Sequence, residues 1–191
     1  MYKHIGRLYA SQDKEFKALI RSRLIEWRKE PATNRIDKPT RIDRARQIGY
    51  RAKQGFIVVR QRVTRGSRRK QRPIRGRKPK KMGTVKITPG RSRQWIAEER
   101  TARKYPNMRI LGSYYIAEDG KSLWYEVILV DPVHPAIQGD PRINWVCDPT
   151  QKGRVFRGLS PAGKTSRGLR HRGKGAEKLR PSLGKLGRRG K

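Results

Sequence analysis

The stretch "GLSPAGKT", residues 158–165, satisfies G-x-x-x-x-G-K-[ST], the pattern of a loop whose backbone N–H groups and lysine cradle nucleotide phosphates. That chemistry requires a buried strand before the loop and a helix after it, so that amides and helix dipole converge on the anion. Here the preceding "TQKGRVFR" has only Val155 and Phe156 as apolar residues, and the following "SRGLRHRGKG" is rich in helix breakers. Glu177 is the sole later acid, so no magnesium partner stands downstream. The Gly, Lys, Ser and Arg residues make better sense as a flexible strand of backbone and cations threading between phosphates. His4, His134 and His171 are scattered and, with Cys147 the only cysteine, show no zinc spacing. Cys147, between Val146 and Asp148, reads as packing, and an intrachain disulfide is impossible. No Ser/His/Asp signature stands out. The expectation is a non-enzyme with no metal, no cofactor and no small-molecule substrate.

The elements around these residues carry an unusual charge. The 191 residues hold 50 Lys+Arg against 15 Asp+Glu, a net charge of +35. A globular body with that charge repels itself unless a polyanion neutralises it. Nucleic acid is the natural partner. A membrane is not, because the longest apolar runs, 56–59 and 127–130, are four residues each. The amino terminus, "MYKHIGRLYASQDKEF", lacks the apolar run and small-residue cleavage site of a secretory signal and is expected to stay as synthesised, and the single cysteine suits a reducing, intracellular setting.

The charge is segregated. Residues 1–43 carry +5, 44–97 carry +19 with no acid, 98–148 carry −2, and 149–191 carry +13. The near-neutral window is also the most apolar, so the expectation is a single domain with its body at 1–65 and 91–148. Basic, Gly- and Pro-rich segments at 66–90 and 149–191 bury too little to fold alone and read as arms that order on binding. On the first arm the candidate RNA contacts are Arg68, Arg69, Lys70, Arg72, Arg75, Arg77, Lys78, Lys80 and Lys81, and Arg172 and Lys174 join them on the second. "KPKK" within the first arm also resembles a nuclear-import signal, a pattern common in RNA-binding arms.

Within the body, Ser11 is placed to cap a helix with Asp13 and Glu15 in its first turn, and Pro31 ends it. Phe16, Leu19, Ile20, Leu24 and Trp27 make its apolar stripe. Thr40 and Asp43 form a capping-box pattern for a short helix ended by Gly49, which presents Arg41, Arg44 and Arg46. "GFIVVRQRVTRG" alternates as a strand, with Ile57, Val59 and Val63 on a packed face and Arg60, Arg62 and Thr64 on a basic one. Ser92 caps a helix through "SRQWIAEERTARKY", with Glu99 and Arg103 at i,i+4 and Trp95, Ile96, Ala97 and Ala102 in contact with the core. Asp119-Gly120 signals a two-residue hairpin loop. That loop would pair Glu118 with Lys121, Tyr114 with Tyr125 and Ile110 with Leu129, in a hairpin covered on both faces. The fold class expected is α+β with a small, largely antiparallel sheet.

Aromatics are few, which disfavours a stacking platform for single strands, and no recognition helix or zinc finger can be placed. Long Gly/Arg/Lys arms suit a folded RNA with narrow crevices. The alternative from residues alone is an architectural protein that compacts duplex DNA.

"RARQIGYRAKQGFIVVRQRVTRG", "AEERTAR", "LGSYYIAEDGKSLWYEVILVDPVHPAI" and "RGLSPAGKTSRGL" closely resemble, in order and along nearly the whole chain, the archaeal and eukaryotic type of large-subunit ribosomal protein fifteen. The resemblance implies a structural constituent of the cytoplasmic large ribosomal subunit, with large-subunit ribosomal RNA and other large-subunit proteins as partners. It implies RNA contacts at Arg44, Arg46, Arg51, Lys53, Arg60, Arg62 and Arg65, and at Arg154, Arg157, Lys164, Arg167 and Arg170. The short carboxyl end resembles archaeal members, and 68–90 matches least.

Overall fold

The computed structural model describes residues 2–11, 13–67, 74, 76 and 89–170. Its helices are α1 (Tyr2–Ser11), α2 (Lys14–Lys29), α3 (Ile42–Ile48), α4 (Arg93–Lys104), α5 (Pro135–Gln138) and α6 (Pro161–Ser166). The strands are β1 (Thr33–Ile36), β2 (Phe56–Thr64), β3 (Arg109–Glu118) and β4 (Ser122–Val130). All pair antiparallel in the order β1-β2-β4-β3, so the class is α+β as the sequence indicates.

The sheet is covered on both faces. Leu24 and Trp27 of α2, Ala45 of α3, and Ile137 and Val146 from the chain after β4 pack on one face against Val58, Trp124 and Ile128. Trp95 of α4, Val155 and Ala162 pack on the other against Val59, Val127 and Leu129. A strand buried on both faces loses its alternation, hence the near-continuous apolar run of β4. Glu126, the exception within it, is fully buried.

Capping follows the sequence in part. Ser92 caps α4 by accepting from Trp95 N at 3.2 Å, and Gly49 ends α3 at φ 107°, a left-handed conformation that glycine adopts without strain. Ser11 instead ends α1, and Asp13 holds the cap position of α2. The expected capping box at α3 does not form. Arg41 holds the cap position, and the Thr40 N–H donates to both Glu126 carboxylate oxygens, at 3.1 and 3.0 Å. The buried carboxylate outcompetes the local cap because its need for donors is greater. In α2, Leu24 and Trp27 are buried and Ile20 packs partly buried on the same core, while Leu19 is exposed.

The hairpin keeps the expected Ile110–Leu129 pair but not the rest. Bulges between Ile110 and Gly112 and between Tyr115 and Ala117 shift the register, so that Tyr115 faces Tyr125, Tyr114 faces Glu126, and Glu118 faces Leu123. Each bulge inserts one unpaired residue and re-aims those beyond it. The connection is held by Asp119, whose carboxylate accepts from Lys121 N at 2.7 Å and Ser122 N at 2.6 Å, rather than by a glycine at positive φ.

Two larger corrections concern charge and the carboxyl region. Arg60 is 9% exposed, because α2 covers the face expected to be basic. Its guanidinium lies 4.3 Å over the Trp27 ring and bonds Glu30 at 3.3 Å, and across the ladder Arg60 faces Glu126. Residues 149–170, expected as the start of an extended arm, pack on the body through Val155, Ser160 and Ala162. Apolar residues too sparse to build a core of their own suffice to dock on an existing one.

Candidate nucleic-acid interface

The phosphate-loop pattern has a packing explanation. Gly158 has φ +65°, and an added Cβ would lie 2.7 Å from Arg167 Cδ and 3.0 Å from the Trp95 ring. At Gly163 an added Cβ would meet the Gly158 backbone at 2.6 Å, so the two glycines of the pattern are pressed together. Between them, Ser160 caps α6 by accepting from Gly163 N and donates to Glu98, which also accepts from Ser113 Oγ at 2.6 Å. The carboxylate of α4 thereby stitches the stretch to the sheet. Burial raises the Glu98 pKa, opposed by those hydroxyls and by Arg154. The amide that a phosphate would seek is already satisfied, and Thr165 Oγ1 donates to Pro161 O. The stretch is a folded loop and helix turn rather than the flexible strand expected.

The acids are similarly committed. Asp43, Glu98, Glu99 and Glu126 are buried. Burial raises the Glu126 pKa, against bonds from Thr40 and Tyr114 and the nearby Arg60 charge. Asp119, Asp131, Asp140 and Asp148 accept backbone N–H groups within their own turns. The Lys53 ammonium, 2.7 Å from Asp140, holds that carboxyl below its ordinary value. Asp13, Glu15, Glu26, Asp37 and Glu118 remain exposed, fewer than the surface cations they face.

The candidate contacts divide accordingly. Arg41 lies 4.0 Å over the Tyr9 ring and pairs with Asp43 at 3.0 Å, so like Arg60 it holds the fold. Arg62 donates to Arg28 O at 2.7 Å, and Arg154 donates to Ile110 O at 3.2 Å while lying 4.7 Å over Trp145. Arg51 is partly buried. Arg44 and Arg46 are exposed at one end of the body, Arg44 bonding Gln47 and Arg46 bonding Tyr2 Oη. Arg157, Lys164 and Arg170 are exposed, and Arg167 donates to Gly158 O at 3.2 Å. Arg68, Arg69, Lys70, Arg72, Arg75, Arg77, Lys78, Lys80, Lys81, Arg172 and Lys174 lie outside the described residues.

Arg65 leads to a feature that sequence patterns alone do not reveal. A groove of about 1320 Å³ is lined by Arg65, Arg91, Arg93, Arg100 and Arg167, with Glu99 as the one acid among the described residues that line it. Glu99 is buried and bonded to Arg91 at 2.5 Å, so its charge is already answered. Gly66 and Ser67, where the chain enters the segment of the internal basic arm, and Pro89 and Gly90, where it returns, also line the groove. By sequence, Arg91, Arg93 and Arg100 belong to a core helix and its approach. The available signal is that Arg91 and Arg93 close the acid-free window 44–97.

No helix among the described residues is long and apolar enough to cross a membrane. The model of the family described as Ribosomal L15, of the L15e type, matches residues 1–185, nearly the whole chain. Exposed cations that outnumber the exposed acids, a groove of arginines beside the internal basic segment and a match of that extent converge: the chain belongs to the L15e-type Ribosomal L15 family, a structural component of the large ribosomal subunit.

Proposed function

We propose that the chain binds and stabilises folded large-subunit ribosomal RNA through its phosphate backbone and shape, with the arginine groove as the centre of contact on the body. The observation that carries this reading is the groove itself, beside residues 66–67 and 89–90 that flank the basic segment. Five arginines line a surface whose one acid among the described residues, Glu99, is already paired with Arg91, Arg65 pairing also with Glu118 at 3.4 Å. A phosphodiester backbone supplies the missing charge, and Arg, with its planar fork of donors, suits phosphate oxygens. Arg44, Arg46, Arg157, Lys164 and Arg170 extend the contact as exposed cations, and the cations of 68–81, with Arg172 and Lys174, reach into crevices between RNA helices. Arg41 and Arg60 hold the surface in shape rather than touch RNA. The family supports a non-enzymatic component whose partners are ribosomal RNA and ribosomal proteins. Nothing in it favours duplex DNA.

The test is titration of the full chain with deproteinised large-subunit ribosomal RNA at several salt concentrations. Neutralising Arg65, Arg93 and Arg100 to Gln is expected to weaken binding and to reduce the slope of log K against log salt by about one for each phosphate no longer neutralised. An unchanged affinity and slope in that folded variant would remove the groove from the interface.

A further inference from the structure

A second concavity lies apart from the arginine groove, where the end of α4, the start of β3 and the turn 151–156 meet. It encloses about 310 Å³, with Met108, Ile110 and Val155 among its lining and Phe156 beside them. Phe156 is 41% exposed, although Val155 next to it is buried and accepts from Trp95 Nε1 at 2.7 Å. The neighbour's anchor, and the Phe156 N–H donating to Gly153 O at 3.0 Å, fix the turn that carries the ring.

The rim is cationic. Arg103, Arg109, Lys152 and Arg154 border the cleft, and no acid is among the described residues that line it. The Arg103 guanidinium lies 5.8 Å from the Phe156 ring centre, so cation and ring are ready to act on one partner. Arg109 and Arg154 are partly spent on backbone carbonyls, Arg109 on Val146 O and Asp148 O, Arg154 on Ile110 O. Lys152 stands exposed at the mouth, and Arg103, also exposed, pairs only loosely with Glu99 at 3.9 Å.

We propose that this cleft receives one unpaired nucleobase of the ribosomal RNA, stacked on Phe156, with the flanking phosphates held by Arg103 and Lys152. The inference deepens the RNA-binding reading and rests on it. An apolar wall with one aromatic face suits any base, because every base has a π-face, and the cations match the charge on either side of it. The volume falls at the lower end of small-ligand sites and suffices for a single extruded base. An apolar side chain from a neighbouring protein would fit the floor but leave the basic rim unanswered.

The experiment compares the full chain with its Phe156→Leu and Phe156→Trp variants on deproteinised large-subunit ribosomal RNA, by affinity at several salts and by ultraviolet crosslinking at residue 156. The expected result is a roughly tenfold loss for Phe156→Leu with an unchanged salt slope, retention by Phe156→Trp, and a crosslink from Phe156 to one unpaired nucleotide. Equal affinity of Phe156→Leu without a crosslink, while wild type still binds in a salt-dependent way, overturns the cleft assignment and leaves the RNA-binding reading standing. Absence of binding by wild type defeats the wider reading instead. In assembled subunits, a crosslink from Phe156 to another protein, or to this chain's own residues, overturns the base in favour of that occupant.

Discussion

Replacing Gly163 by alanine places a methyl carbon 2.6 Å from Gly158 Cα, 2.8 Å from its carbonyl carbon and 3.0 Å from its oxygen. Carbon atoms in contact sit about 3.5–4.0 Å apart, so the two backbone segments must separate by about 1 Å. Neither is the end of a flexible side chain, and overpacking of this kind costs about 1–3 kcal/mol. Separation also loosens the Ser160 cap, worth about 1 kcal/mol. The helix-propensity gain of Gly→Ala, about 1 kcal/mol, offsets a similar amount. The net expectation is therefore a destabilisation of about 2 kcal/mol, felt first where residues 158–166 dock on α4. Urea unfolding followed by tryptophan fluorescence reads it, because Trp95 packs against Gly158. Hydrogen exchange localises it. A variant more stable than wild type by about 1 kcal/mol, as an unhindered helical glycine would give, refutes the packing account of the motif.

Charge reversal Arg60→Glu sets a new carboxylate against Trp27, Glu30 and Glu126. Breaking a buried pair costs about 3–5 kcal/mol, so circular dichroism should show an unfolded or strongly destabilised body, whereas Arg100→Glu at the exposed groove should fold normally and lose RNA affinity. Glu98 and Glu126 have raised pKa values, so their contribution is most favourable below the ordinary glutamate value of 4.5 and becomes a penalty as pH rises through the folded pKa. Stability measured from about pH 4 to about pH 8 should accordingly improve for Glu98→Gln relative to wild type as pH rises, and a constant difference would contradict the buried-carboxylate assignment. Lys164→Gln should leave nucleotide affinity unmeasurable, as in wild type, while slightly reducing RNA affinity. Saturable ATP binding that Lys164→Gln abolishes would revive the phosphate-loop reading.

The α+β class, the two-faced burial of the hairpin, the Ser92 cap and the Gly49 stop were legible because each depends on a short pattern or a local φ requirement. Strand β1, "TNRI", was not, since four residues with one strong apolar position form a strand only by pairing with β2. Helix α1 was not anticipated either, although Ile5, Leu8 and Tyr9 recur at helical spacing. The bulge at Leu111 is flanked by Gly112, an isolated strand glycine that could have announced it, whereas the one at Ile116 has no glycine or proline beside it. Arg60 reads as a surface residue by alternation, and only the arrival of Trp27 and Glu30 from α2 makes its burial tolerable. The site divides the same way. Total charge pointed to a polyanion, but which arginines reach it depends on which acids fold inward, and that is tertiary information. Arg100, one of the groove's two exposed helical arginines with Arg93, sits beside Glu98 and Glu99 in sequence and looks neutralised until both acids are seen to be buried.

The most direct test of the central claim is a competition in which the full chain, bound to deproteinised large-subunit ribosomal RNA, is challenged with excess duplex DNA across a range of salt. The account predicts retention on the RNA, with log K falling steeply against log salt, a slope of about −9 for ten phosphate contacts on a B-form duplex serving as the reference scale. Equal displacement by duplex DNA, or a slope near zero, would contradict it.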